Sequence, residues 1–193
     1  MKILKIFAFT VIVFALQNCS NTENVETETN AIPKQNVQNA AKSLLTQLGI
    51  GNYLSERHHE HVWSHKNVPS SNVLPNLIKW QKEIGMADPL PASQVCVALA
   101  NVIRKRAGYK VYGGRSPGYI PSVFDDLLNR GGERVSYSQV SNGDFASGGG
   151  HAGVVVQIST GEKKVLAFTG SFGSIDAQIL PVYDTWEFYR TEN

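Results

Sequence analysis

The sequence is poor in cysteine: Cys19 and Cys96 are the only two among 193 residues. It also lacks a polybasic stretch. Lys and Arg total 18 against 16 Asp and Glu. Two of those positives, Lys2 and Lys5, fall in a leading segment, and without them the charges balance. The pI near 8.5 therefore carries no nucleic-acid signal, and DNA and RNA are set aside as partners. Long apolar runs are missing as well: Ile6 to Leu16 is too short for a comfortable membrane span. Nor is there any carboxylate between Asp88 and Asp125. With 42% hydrophobic and 18% charged residues, the chain is neither disordered nor a membrane bundle. Its length predicts one domain with extensions and a real core.

The leading segment has the layout of an export signal. Lys2 and Lys5 form a short positive region ahead of the apolar run, and no small-x-small site for ordinary signal peptidase follows. Leu16-Gln17-Asn18-Cys19 resembles instead a lipobox, after which bacterial lipoproteins are cut and lipidated on the cysteine. Gln17 and Asn18 are bulkier and more polar than that motif's usual small residues. The match implies a signal peptide over 1–18, lipid on Cys19 and a chain held to a membrane on the exported side, in the periplasm or at the outer membrane. The alternative is an uncleaved or conventionally cleaved signal with Cys19 incidental. Residues 19–35 are polar and nearly free of large apolar groups, which predicts a disordered tether.

Residues 36–92 are expected to form a helical N-terminal region. Val37, Ala40, Ala41, Leu44, Leu45 and Leu48 repeat at helical spacing, and Gly49 ends the run. Asn72 or Ser71 can cap a second helix with Leu74, Leu77, Ile78 and Ile84 turned inward. Between them His58 to His65 holds four of the five histidines. On a helix His58, His61 and His65 would share a face, which suggests zinc. The spacing is not His-Glu-x-x-His and no other ligand cluster is near, so a solvated or groove-lining run is favoured and no metal is assigned.

A helix is predicted from Ser93 to about Ala107, capped by Ser93 and closed by Gly108. Cys96 lies in its first turn, where the helix dipole lowers a thiol's pKa and prepares a nucleophile. The same residue also fits a buried apolar stripe of Cys96, Leu99, Ala100, Ile103 and Ala107. If Cys19 carries lipid, Cys96 is a lone thiol in an oxidising compartment, which favours the nucleophile.

Beyond Gly108 the pattern changes. Ser122 is expected to cap a short helix stopped at Gly131-Gly132. Strands are predicted at Arg134–Tyr137, His151–Ile158, Lys164–Phe168, Ile179–Val182 and Trp186–Tyr189. Short turns between neighbours fit an antiparallel sheet, and helices followed by a meander mean α+β. His151 opens an apolar strand beside Gly148-Gly149-Gly150, placed to take a proton from a thiol across the fold. A strand-end histidine hydrogen-bonded to its loop is the alternative.

Cys96-Val97-Ala98-Leu99, then Gly143-Asp144, then Gly150-His151-Ala152-Gly153-Val154-Val155 together resemble the CHAP amidase/peptidase group and the neighbouring NlpC-like cell-wall peptidases. The likeness runs from about Gln94 to the C-terminus, within a hydrolase core over 93–193. It implies a papain-like α+β fold, with N-terminal helices packed on a C-terminal antiparallel sheet. It also implies a hydrolase, an amidase or endopeptidase, that cuts an amide bond in peptidoglycan or another peptide. Cys96 would be its nucleophile and His151 its base, with the Cys96 N–H and Gln94 at the oxyanion and no cofactor. The sequence departs from the group where Glu or Asn usually orients the imidazole. Val165 to Ser171 offers neither, leaving Thr169, Ser171 or a backbone carbonyl for that third position. Asp144 is expected to stabilise its turn rather than act in catalysis. That departure supports a second reading, an inactive papain-fold lipoprotein that binds, and the histidine run supports a third, a metal-binding lipoprotein.

Overall fold

Among the described residues, seven strands form one antiparallel sheet, and four α-helices accompany it in an α+β arrangement. The computed structural model describes residues 36–56, 64–86, 94–171 and 174–191. The leader, the tether with Cys19, the Ser93 cap and the run His58 to His61 lie outside the described residues. The helices are α1 (Val37–Gln47), α2 (Ser70–Ile84), α3 (Val95–Arg106) and α4 (Ile120–Asn129). The strands are β1 (Ser64–Val68), β2 (Glu133–Val135), β3 (Phe145–Gly148), β4 (His151–Gln157), β5 (Lys163–Ser171), β6 (Ser174–Pro181) and β7 (Glu187–Arg190). Across the sheet they run β1-β6-β5-β4-β3-β7-β2.

Alternation along the strands sorts side chains between two cores. Ala152, Val154 and Val156 of β4 face the helices, together with Leu166 and Phe168 of β5 and Ile175, Ala177 and Ile179 of β6. Val155, Val165, Ala167 and Leu180 face the other way, into a smaller cluster with Val140, Ala146 and Phe188. A strand covered on both faces is apolar at successive positions, which accounts for the run Val154-Val155-Val156. Against the larger core lies α3, buried on nearly every side, as a helix threaded between other helices and a sheet must be. Its polar residue Asn101 is satisfied there, donating to Tyr112 O at 3.1 Å and Pro117 O at 2.8 Å.

Several expectations hold in position. In α1 the Asn36 side chain caps Asn39 N at 2.8 Å, and the predicted apolar face is buried. Gly108 follows α3 with φ of 94°, the left-handed geometry that ends a helix. Others require correction. The N-terminal region is not all helix, because β1 joins the sheet as an edge strand, with His65 paired to Gln178. The inward face of α2 is Val73, Trp80 and Ile84, while Leu74 and Ile78 are 56% and 62% exposed. Asn72 caps nothing in α2; its Nδ2 reaches back to Leu48 O at 3.2 Å. Helix α4 starts before Ser122, with Pro121 in its first turn, where a missing N–H costs nothing. Phe145–Gly148 is a strand where only a turn and glycines were expected, since Gly148 carries no side chain to reveal the period.

Candidate active site

Cys96 is the second residue of α3, and Gln94 stands at the N-cap without a capping side-chain bond. A helix start without such a cap leaves its first N–H groups unclaimed. The backbone N–H groups of Ala152 in β4, of Val97 and of Cys96 itself each pull the Cys96 thiol's pKa down. All three favour a thiolate, and no acid lies in the first turn to oppose it. Burial works against them and is the larger influence: with Cys96 only 7% exposed, its thiol's pKa is raised, not lowered. That corrects the expectation of a thiol activated by the dipole alone, because desolvating a nascent anion outweighs a helix terminus.

Ala152 can face the thiol because of where the sheet opens. The β4–β5 ladder runs from Gln157↔Lys163 to Gly153↔Ala167 and stops one residue short of Ala152. Beyond that row the hairpins continue separately, β3–β4 to Gly148↔His151 and β5–β6 to Ser171↔Ser174. The result is a notch between two hairpin ends, with the start of α3 against it. His151 is the first residue of β4, half-buried, immediately before Ala152. The structure thus brings Cys96 close to the residue after His151 but does not pair the two side chains, for no hydrogen bond joins thiol and imidazole among the described residues. Alternation sets His151 in the file of Gly153 and Val155, on the face away from α3. Trp186 lies on that face, where a side chain at Gly148 would strike its indole.

Thr169 belongs to the same face, since Val165 and Ala167 do. The β4–β5 ladder ends at Ala167, and Thr169 pairs with Asp176 of β6. Its hydroxyl accepts from Gln178 Nε2 at 3.0 Å. Gln178 is 5% exposed, and its Oε1 has no partner. Such an orphaned acceptor costs about 1–3 kcal/mol. Sequence reasoning did not single out Gln178, which sits far from the motifs in a strand that also carries Asp176. A lone amide between Ala177 and Ile179 was the available signal.

The other end of α3 is bound tightly. Arg104, buried and sandwiched 4.3 Å from the rings of both Tyr109 and Phe145, donates to Gly143 O and to Thr191 Oγ1. Burial pushes its pKa down to about 10, so it stays charged at neutral pH. Arg106 pairs with Glu83 at 2.8 Å in a buried bridge to α2. Asp144 accepts from Ser141 N at 2.7 Å and binds Arg190 at 2.8 Å, so it holds its turn, as expected. A cleft of about 530 Å³ opens beside it, lined by Tyr109, Glu133, Asn142, Arg190 and neighbours, remote from Cys96 along α3. No group of three or more His, Cys, Asp or Glu among the described residues is arranged to hold a metal ion.

Compared with known proteins, the chain matches no family model, no curated protein and no solved structure. The chemistry must be argued from its own residues: a buried thiol among three N–H donors, and an imidazole one residue from the third.

Proposed function

We propose that the chain is a thiol-dependent hydrolase of papain-like fold that cuts a peptide or amide bond in peptidoglycan. One observation carries the reading: the Cys96 thiol, at the first turn of a central helix, abuts the N–H of the residue that directly follows His151. The order of Cys96, Gly143-Asp144 and Gly150-His151-Ala152, similar to the CHAP and NlpC-like groups, supplies the substrate class. Cys96 Sγ attacks the carbonyl carbon while His151 takes the thiol proton. The oxyanion is held by backbone N–H groups at the start of α3, those of Cys96 and its neighbourhood beside Gln94. His151 returns the proton to the leaving amine, and the remaining thioester is cleaved by water, again through His151.

Because the thiol is buried and its pKa raised, His151 must act as a true base on a neutral thiol. The imidazole has to turn around the start of β4 to reach it. Gly149 and Gly150, with φ of 57° and 79°, make the turn into β4, and nothing lies within 4 Å of where their side chains would stand. Lipid on Cys19 and a location on the exported side of an envelope membrane belong to the same proposal. Thr169 in place of a carboxylate or amide, together with the unpaired thiol, favours a second reading, a binding protein on the same fold.

Digestion of purified sacculi by wild type and Cys96→Ala, analysed by mass, tests both. Fragments released by wild type alone support the hydrolase. Sacculi that retain the protein without being cut support the binding module and overturn the enzyme.

A further inference from the structure

We propose that the cleft beside Asp144 binds the C-terminal carboxylate of a short peptide, with a positive group of the same ligand drawn to Glu133. The site is separate from the thiol and independent of the hydrolase reading. Arg104, which stands behind the cleft, follows Cys96 along α3 by about 12 Å, at about 1.5 Å per residue.

At the floor of the cleft the acceptors are used up and donors are left over. Asp144 Oδ1 accepts from Arg190 Nε at 3.1 Å, and Oδ2 from Arg190 Nη2 at 2.8 Å and Ser141 N at 2.7 Å. Gly143 O is taken by Arg104, and Gln139 O by Arg190 Nη2. Among the described residues Arg190 Nη1 and the Tyr109 hydroxyl have no acceptor. Thr191, 6% exposed, accepts from Arg104 Nη2 on its hydroxyl and keeps its own proton to donate. Tyr109, Arg190 and Thr191 all line the cavity of about 530 Å³. Behind them the buried Nε of Arg104 also lacks a partner. Donors left this way are costly, and a ligand that brings acceptors recovers the cost.

Charge fixes the kind of acceptor. Two guanidinium groups, Arg104 and Arg190, stand against the single carboxylate of Asp144, so the floor holds one positive charge in excess. One negative charge cancels it. Glu133 is the register partner of Arg190 across β2 and β7 and lines the same cleft, yet makes no ion pair among the described residues. It repels a second negative charge, which disfavours phosphate, and attracts an ammonium. One guanidinium nitrogen and two hydroxyls suit the two oxygens of a carboxylate. A carboxylate and an ammonium in one molecule define a free amino acid or a peptide with a free amine. The cavity has the size of a pocket for the larger of these.

The test is a titration of the nitrogen-15-labelled full chain, followed by NMR, with alanyl-alanine, its C-terminal amide, N-acetyl-alanyl-alanine, alanine and inorganic phosphate. Alanyl-alanine should shift the amide signals of Asn142 to Asp144 and Thr191 saturably. Its C-terminal amide, without the charged acceptor, should bind at least about tenfold more weakly. The N-acetyl form should bind about threefold more weakly than the free dipeptide in wild type, and equally in Glu133→Gln. Tyr109→Phe, which keeps the ring on Arg104 and loses the hydroxyl, should weaken the dipeptide about fivefold. Cys96→Ala should bind as wild type does, whether or not the chain cuts sacculi. An amide bound as tightly as the acid, phosphate or alanine bound as tightly as the dipeptide, or no saturable shift at tens of millimolar overturns the proposal. So does unchanged binding in Tyr109→Phe. Should that variant lose its cooperative melt, the comparison of acid with amide in wild type decides.

Discussion

The two ends of α3 are built on opposite principles. At its C-terminal end, Arg104 and Arg106 are buried and held by Gly143, Thr191 and Glu83, with aromatic rings on both sides of the Arg104 guanidinium. Positive charge there meets the negative end of the helix dipole. At the N-terminal end the helix has no capping side chain, the β4–β5 ladder has stopped, and the thiol and the imidazole each lack a side-chain partner among the described residues. Stability is concentrated at one end of the helix and chemistry is left available at the other. A rigid helix fixed at its far end carries the thiol to the notch, as functional groups need a firmly held support.

The largest effect expected on stability comes from the bound end. Arg104→Ala would empty a packed site and leave Gly143 O without its donor, a loss of about 4–5 kcal/mol in denaturant unfolding. Cys96→Ala, at the open end, should cost about 1 kcal/mol or less, because it removes one atom from the core. Equal losses in the two variants would break the comparison and make Cys96 a packing residue. An intermediate loss, between those two, is expected for Glu83→Gln, which leaves the buried Arg106 with a neutral partner: about 2–3 kcal/mol by the same measurement. A change within a few tenths of wild type would show that the bridge between α2 and α3 does not help hold the helix.

The bound end was the more legible in one respect and the less in another. Three basic residues before Gly108 announced a helix terminus, and the structure has one there. Nothing in the sequence said that Arg104 would be buried, because its partners Gly143 and Thr191 are contributed by distant parts of the chain. The open end was legible in its motifs, Cys96 on a helix and His151 opening a strand. The sequence could not weigh desolvation against the dipole, so the direction of the thiol's pKa came out wrong. On α2 the expected inward set held for Leu77 and Ile84 but not for Leu74 and Ile78, and it missed Trp80, buried with its Nε1 bonded to Gln47 at 3.0 Å. Strand β1 overlaps only the end of the histidine run, at Ser64 and His65, and that run's spacing also suits a helix. Its partner β6 lies more than a hundred residues later, and short edge strands are recognised by their partner, not by their own pattern.

The smallest expected effect is also the one that sharpens the contrast most, because it depends on the sign of a single pKa shift. Burial raises the Cys96 thiol's pKa, so the folded chain keeps this proton at a pH where the unfolded chain has lost it. The stability contributed by the group is whole below the ordinary thiol range and is lost as pH rises through the higher, folded value. Wild type should therefore lose stability on the alkaline side relative to Cys96→Ala, with a slope no steeper than about 1.4 kcal/mol per pH unit for one group. Denaturant unfolding of the two chains, compared at neutral and alkaline pH, measures it. Iodoacetamide labelling of the Cys96 peptide, followed by mass, should rise only above the ordinary thiol range in the free chain, since no imidazole is paired with the thiol there. Stability lost toward acid pH, or labelling that begins well below that range, would mean that His151 already holds the thiolate in an ion pair. The N-terminal end of α3 would then be as fully bound as the other, and the open notch would not describe the protein in solution.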